Sequence, residues 1–377
     1  MAKLREVLEA HVGEGAAPGV VGLVARGGQV EVAAVGSVDV EGSAGMARDS
    51  IFRIASASKP IVAAAVMLLV QDGVVRLDEP VARWLPELAE PVVVRTPAGP
   101  VDDVVAVERP ITVFDLLTFR CGYGFPDDFS LPAVRLLFSE SLQGPPDPQG
   151  MPDADAWIAK LARVPMLSQP GDKWLYNTGS DIASVLVSRV AGTSLGEFLA
   201  ERVFAPLGMV DTGFFVPEEK LSRFTSSYQP GENGPELLDR PDGQWRTPPT
   251  FESGAGGLVS TVDDWLAFGR MLLGEGPALL TEESLRLMTS DHLTAAQREA
   301  STLFLEGQGW GFGGSVDVAA TDPWTVPGRY GWVGGTGTAA HVVPSTGAVT
   351  VLMSQLAMTG PTPPTLMRDF WAYAATA

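Results

Sequence analysis

Residues 61–70, Ile-Val-Ala-Ala-Ala-Val-Met-Leu-Leu-Val, carry no polar side chain. Pro60 opens the run and Gln71-Asp72-Gly73 closes it. Proline in the first turn and glycine just past the end are the marks of a helix. A helix that is apolar all round must be covered on every side. A membrane span needs about 18 consecutive apolar residues, and no stretch of this chain reaches that length. The rest of the sequence therefore has to build a core around residues 61–70.

The flanking segments indicate how. Residues 4–14 place Leu4, Val7, Leu8 and Val12 on one side of an amphipathic helix. Val20–Val24 and Val30–Val35 read as strands, with Gly27-Gly28 turning one into the other. From about 80 to 250 the segments 111–118, 154–163, 180–191 and 195–205 carry helical spacing. Pro145-Pro146 and Gln229–Pro249 are rich in proline and glycine and are expected to be surface loops. A helix is expected at Val262–Leu273. Strands follow at Gly309–Val318, Tyr330–Val333, Thr338–Val343 and Val349–Gln355, with a turn at Ser345-Thr346-Gly347 and a last helix over 364–375. Strands at both ends with helices between them predict an α/β (α+β) chain: residues 1–80 and 250–377 forming one sheet domain, and 81–249 a mainly helical insertion.

Charge and composition exclude several functions. The 377 residues hold 26 Lys+Arg against 45 Asp+Glu, a net charge of −19. A phosphate backbone or an anionic membrane would repel that charge, so neither nucleic acid nor membrane is expected as a partner. Cys121 stands alone, which rules out an intramolecular disulfide. The residues Met1–Glu6 have mixed charge and no apolar run, so no signal peptide is read and a cytoplasmic protein is expected. His11, His292 and His341 lie far apart, with no i, i+4 pair and no second cysteine. Neither a metal nor a cofactor is expected.

The chain has five lysines: Lys3, Lys59, Lys160, Lys173 and Lys220. Only Lys59 has a serine three residues before it, in Ile54-Ala55-Ser56-Ala57-Ser58-Lys59-Pro60. Positions i and i+3 share a helix face, and the helix start adds its positive dipole end. An amine accepts a hydroxyl proton if burial lowers its pKa from about 10.4, and apolar Ile61–Ala65 would bury it. That is the arrangement of an activated nucleophile; the plainer reading is a capping serine beside a surface lysine. Ser58 has Ile61 at i+3 and is the weaker candidate. Ser194, in Gly192-Thr193-Ser194-Leu195-Gly196, matches G-x-S-x-G, but a helical segment precedes it and Glu197 completes a capping box. His292 and His341 leave a hydrolase elbow open there. Gly309-x-Gly311-x-x-Gly314 precedes strands rather than a helix, which argues against a dinucleotide site.

Several segments carry a family likeness. Ser50–Pro60 resembles the Ser-x-x-Lys nucleophile segment of the serine β-lactamase/penicillin-binding-protein superfamily. Leu77-Asp78-Glu79-Pro80-Val81, Trp84-Leu85-Pro86, Pro110–Thr118 and Gly256–Thr261 are similar to further signatures of its class C and family VIII carboxylesterase branch. Pro170–Thr178 stands where the family has Tyr-x-Asn; Tyr176 matches the tyrosine, and Thr178 replaces the asparagine. Arg329–Thr338 resembles the third motif in its esterase form, with Trp332 in place of the carboxylate-binding lysine of penicillin-recognising enzymes. His341 and Val343 depart from the residues common in related esterases. The resemblance implies an antiparallel sheet flanked by helices, with the active site between sheet domain and insertion. It implies Ser56 as nucleophile, with Lys59 and Tyr176 sharing its proton. The oxyanion hole would use the N–H groups of Ser56 and of Gly334 or its neighbour. Trp332, Gly334, Gly335 and Thr178 would contact substrate, and the loops Gly122–Asp153 and Ser226–Glu252 would rim the pocket. The implied activity is carboxylester hydrolysis of a small-molecule substrate through an acyl-enzyme. Acyl transfer and β-lactamase or D-amino peptidase work are the alternatives, and a non-catalytic binding or scaffold protein on this fold is the reading from another class.

Overall fold

The computed structural model describes residues 3–13 and 16–376. Its centre is one antiparallel sheet of seven strands: β1 (Gly19–Arg26), β2 (Gln29–Gly36), β3 (Gly309–Trp310), β4 (Ser315–Val316), β5 (Tyr330–Gly334), β6 (Thr338–Val343) and β7 (Ala348–Ser354). The spatial order is β2-β1-β7-β6-β5-β4-β3. Gly27 and Gly28 both take positive φ, 55° and 80°, which suits the tight turn between β1 and β2. That hairpin zips onto the last strand, with Val20 opposite Ser354 and Ala25 opposite Val349. The N-terminal hairpin and the last strand are thus joined in one layer.

Alternation along β1 decides which helices cover which face. Val21, Leu23 and Ala25 join the main core with helix α2 (Lys59–Gln71) and helix α4 (Val262–Leu272). Val20 and Val24 face the other way, onto Leu4 and Leu8 of α1 (Leu4–Glu9) and Phe370 and Trp371 of α5 (Thr365–Thr376). With helices on both sides, every residue of β7 is buried. Helix α2 is buried from Lys59 to Leu69 and packs against α3 (Thr178–Ala191). Residues 81–249 place no strand in the large sheet.

Some expectations need revision. Helix α1 ends at Glu9, with a turn following to residue 13; residue 14 lies outside the described residues. The stretch 229–249 is not merely a loop, because Ser227–Gly231 and Gly234–Asp239 pair as a hairpin. Its prolines, Pro230 and Pro235, are tolerated because a two-stranded ribbon consists only of edges. The expected strand Gly309–Val318 is split into β3 and β4 by a turn in which Gly313 has φ 72°. Helices at Pro132–Ser139 and Glu282–Thr289 were not read from the sequence. No single helix among the described residues is long and apolar enough to cross a membrane.

Candidate active site

Ser56 sits in a short 3-10 turn, Ala55–Ser58, that runs straight into α2. Ala55 has φ 42°, a left-handed conformation that costs a non-glycine residue about 1–3 kcal/mol. The neighbouring strand holds it there: Ile54 N–H donates to Leu258 O at 3.0 Å. Ser58 is completely buried, and its hydroxyl donates to Ala55 O at 2.6 Å and accepts from Leu258 N–H at 3.3 Å. Its hydroxyl is therefore used as a brace. Ser56 is half-buried and faces a cavity of about 650 Å³.

Lys59 has no exposed surface. Its Nζ donates to Ser56 Oγ at 2.7 Å and to Ala255 O at 2.5 Å, and lies 4.7 Å from the centre of the Tyr176 ring. Burial lowers its pKa to about 7, against the opposing pull of the Asp181 charge. Asp181, in the first turn of α3, is itself buried, which raises its carboxyl above the ordinary range. It accepts hydrogen bonds from Ser253 Oγ (2.7 Å), Ala255 N–H (3.1 Å) and Gln143 Nε2 (3.1 Å). Asp181 thus pins the segment whose Ala255 carbonyl holds the lysine. Gln143 in turn accepts from the Asn177 side chain. Asn177 is a second left-handed residue, at φ 83°.

The third group is Tyr176. Its hydroxyl hydrogen-bonds with Ser56 and accepts from the Trp332 indole N–H at 2.6 Å. Burial pushes the phenol up to about 12, while both hydrogen bonds pull it back. Ser56 and Tyr176 therefore meet at the cavity floor, with Lys59 bonded to Ser56 from the buried side. Asp181, Gln143 and Ala255 belong to the same network and were missed from the sequence.

Of the remaining expected site residues, Gly335 lines the cavity, whereas Trp332, Gly334 and Thr178 do not. Trp332 is 4% exposed and is not part of this cavity wall; it lies behind Tyr176 and holds the phenol. Gly334 pairs with Thr338, and a Cβ there would collide with the Ile54 carbonyl oxygen. Gly335 is the glycine in the wall, and its N–H has no acceptor among the described residues. The Ser56 N–H precedes the first hydrogen bond of its turn, Ala57 to Ile54 at 3.1 Å, and is also unspent. Thr178 is completely buried outside the lining, where Asn177 stands instead. The physical reason is the left-handed Asn177, which turns the chain into α3 and carries the next side chain inward.

The wall is mainly apolar, with Phe125, Phe138, Leu142, Met151, Trp245 and Phe251 among its members. It contains no lysine, arginine or histidine side chain, and its ionisable groups besides Tyr176 are Asp147 and Asp181. Ser194 lies elsewhere. Its Oγ accepts from Glu197 N–H at 3.1 Å and bonds Glu252 at 3.2 Å, capping the helix Leu195–Leu199. His292 bonds Leu287 O and stacks on Phe312, and His341 is buried against Trp371, so neither serves Ser194. The Gly309–Gly314 motif lies in β3 and the turn that leads to β4, with no helix opening from it. No group of three or more His, Cys, Asp or Glu that could hold a metal occurs among the described residues.

Comparison with known proteins gives the family. The Beta-lactamase family profile matches residues 4–369. Protein Rv1367c of Mycobacterium tuberculosis is 38% identical over 94% of this chain and 88% of its own length. Esterase EstB of Burkholderia gladioli is 31% identical over 83% of this chain and 78% of its own. Among solved structures, EstCE1, described as a hydrolase with promiscuous acyltransferase activity, superposes with a TM-score of 0.83 over 99% of this chain and 97% of its own, at 24% identity. Simvastatin synthase LovD from Aspergillus terreus does so at 0.80 over 99% and 96%, with 22% identity. These two likenesses speak for the fold. The profile across almost the whole chain and the EstB match place the protein in the serine β-lactamase/penicillin-binding-protein superfamily, as a member of its Beta-lactamase family.

Proposed function

We propose that the protein is a serine hydrolase that works through an acyl-enzyme, a carboxylesterase acting on small to medium uncharged esters. The observation that carries this reading is the Ser56 hydroxyl, held between a buried lysine amine and a buried phenol at the floor of an apolar cavity. Ser56 Oγ attacks the ester carbonyl while Lys59, its pKa lowered by burial, takes the proton. The Ser56 and Gly335 N–H groups receive the carbonyl oxygen as it becomes negative. Tyr176 passes a proton to the departing alcohol and regains one from the Lys59 ammonium, which restores both groups, and water then attacks the acyl-enzyme by the same route. In this reading the cleft divides a sheet domain of residues 1–80 and 250–377 from an insertion of residues 81–249.

Trp332 supports Tyr176 in this scheme. Its indole N–H stabilises negative charge on the phenol, so Trp332→Phe is expected to lower kcat about tenfold while KM changes little. Steady-state kinetics on a nitrophenyl ester measures this; an unchanged kcat would remove Trp332 from the mechanism.

The test of the whole reading is covalent. Intact-protein mass after a fluorophosphonate should show one adduct, and peptide mapping should place it on Ser56. No adduct would return the chain to a binding or scaffold role. Acyl transfer remains the second reading, favoured by the apolar wall around the acyl-enzyme and by the acyltransferase relatives, such as acyltransferase calJ of Penicillium decumbens. Penicillin hydrolysis is disfavoured, because the wall offers no cation to a substrate carboxylate.

A further inference from the structure

Beside Tyr176 the cavity wall includes Phe125 and Phe138, and Phe129 and Phe304 pack against them outside that wall to make a shelf that the mechanism leaves unused. Phe125 is joined to Tyr176 by a backbone bridge, with N–H···O distances of 3.2 and 2.9 Å, and its ring lies 5.5 Å from the tyrosine ring. Phe138 lies 5.6 Å and Phe129 5.3 Å from Phe125. Phe304 closes the group, stacked on Tyr176 at 4.7 Å and 5.9 Å from Phe125. The loop before Phe129 is tied to the Phe304 helix by Asp127, which accepts from Leu303 N–H at 3.0 Å. Phe129 and Phe138 remain 40% and 38% exposed. Their rings adjoin at 6.2 Å, so they form one contiguous apolar patch beside the cavity, the kind of surface that marks a ligand groove.

We propose that Phe125, Phe129 and Phe138, backed by Phe304, form the subsite for the alcohol part of the ester, and that this alcohol is aromatic or bulky and apolar. The inference rests on Ser56 as nucleophile and Tyr176 as proton donor. The Ser56 Oγ–carbonyl carbon bond forms and the bond from that carbon to the alcohol oxygen breaks. The alcohol oxygen receives one proton, equal to the one Ser56 gave up. To take it from Tyr176 the oxygen must lie within hydrogen-bond reach of the phenol, so the attached carbon skeleton begins beside the Tyr176 ring. The apolar surface next to that ring is the shelf, whereas Trp245, Phe251 and Leu238 are left for the acyl part. Ring-to-ring contacts then hold an aromatic alcohol by edge and offset packing.

The experiment compares 2-phenylethyl acetate with ethyl acetate, which give the same acetyl-enzyme, in wild type, Phe138→Ala and Phe129→Ala. Both replaced side chains are part-exposed, and fluorophosphonate labelling of Ser56 reports whether each variant keeps its site. The expected result is a fall of about tenfold in the ratio of kcat/KM for the phenylethyl ester over the ethyl ester. An unchanged ratio overturns the proposal. So does a fall confined to the acyl series, ethyl 3-phenylpropanoate over ethyl acetate, which would make the shelf an acyl site. Fluorophosphonate labelling of wild type separates the two levels: an adduct mapped to Ser56 with an unchanged ratio removes the subsite alone, whereas ester turnover by a protein that takes no fluorophosphonate on Ser56 removes the mechanism and the subsite together.

Discussion

Ser56→Ala is expected to lower ester hydrolysis by roughly 10⁴-fold or more, while the protein stays folded. The change removes one hydroxyl from a half-buried position. Lys59 keeps its second partner, Ala255 O at 2.5 Å, so no buried ammonium is stranded. The left-handed Ala55 is held by the backbone bond from Ile54 N–H to Leu258 O, not by Ser56. The unfolding temperature should therefore shift by only about 2 °C. Ser194→Ala makes the opposite pattern. It deletes a helix cap, which costs about 1 kcal/mol, and lowers the melting temperature by a few degrees, yet leaves hydrolysis intact. Parallel assays with a short-chain nitrophenyl ester and thermal melts of the two variants settle the choice. Hydrolysis surviving in Ser56→Ala and lost in Ser194→Ala would transfer the nucleophile to the G-x-S-x-G serine.

What could be read before the structure follows from how local each signal is. The strands β1, β2, β6 and β7 were legible because apolar runs bounded by glycine turns depend only on neighbouring residues. The Ser56–Lys59 pair was legible because one helical turn joins the two, and Tyr176 only through a family likeness. Asp181 left little trace: it is one acidic residue in the first turn of a helix, a common place for one. What sets it apart is that the turn is buried and that Ser253, Ala255 and Gln143 converge on it from other segments. Trp332 was placed on its strand and expected at the pocket wall, but its bond to the Tyr176 phenol was not legible, since a strand pattern states which residues share a face and not what stands opposite. The hairpin Ser227–Asp239 was hidden because proline and glycine mark both its turn and its edges. The choice between Gly334 and Gly335 was left open by the sequence, because only the structure shows that the strand ladder ends at Gly334 and leaves the Gly335 N–H free.

Asp181→Asn is expected to move the ascending limb of the kcat/KM pH profile to lower pH by about one unit. The limb reports Lys59, which must be neutral to accept the Ser56 proton. Burial brings the lysine down to about 7, so activity should rise as pH passes upward through that region. The Asp181 charge opposes the shift, because a nearby anion favours the ammonium form. Removing that charge lets burial act alone, the lysine pKa falls further, and the limb follows it down. The asparagine keeps an oxygen for Ser253 and Ala255, which both bond the same Asp181 atom, Oδ1. On the other side its amide would face the Gln143 amide that now donates to Oδ2. Gln143 cannot turn over without losing the Asn177 bond to its oxygen. The variant should therefore also lose kcat, by about tenfold, through loosening of the segment that carries Ala255. Gln143→Ala separates the two effects, since it releases Asn177 but leaves the carboxylate in place: kcat should fall with the limb unmoved. A limb that stays in place in Asp181→Asn, or moves to higher pH, would show that Asp181 does not set the charge state of Lys59.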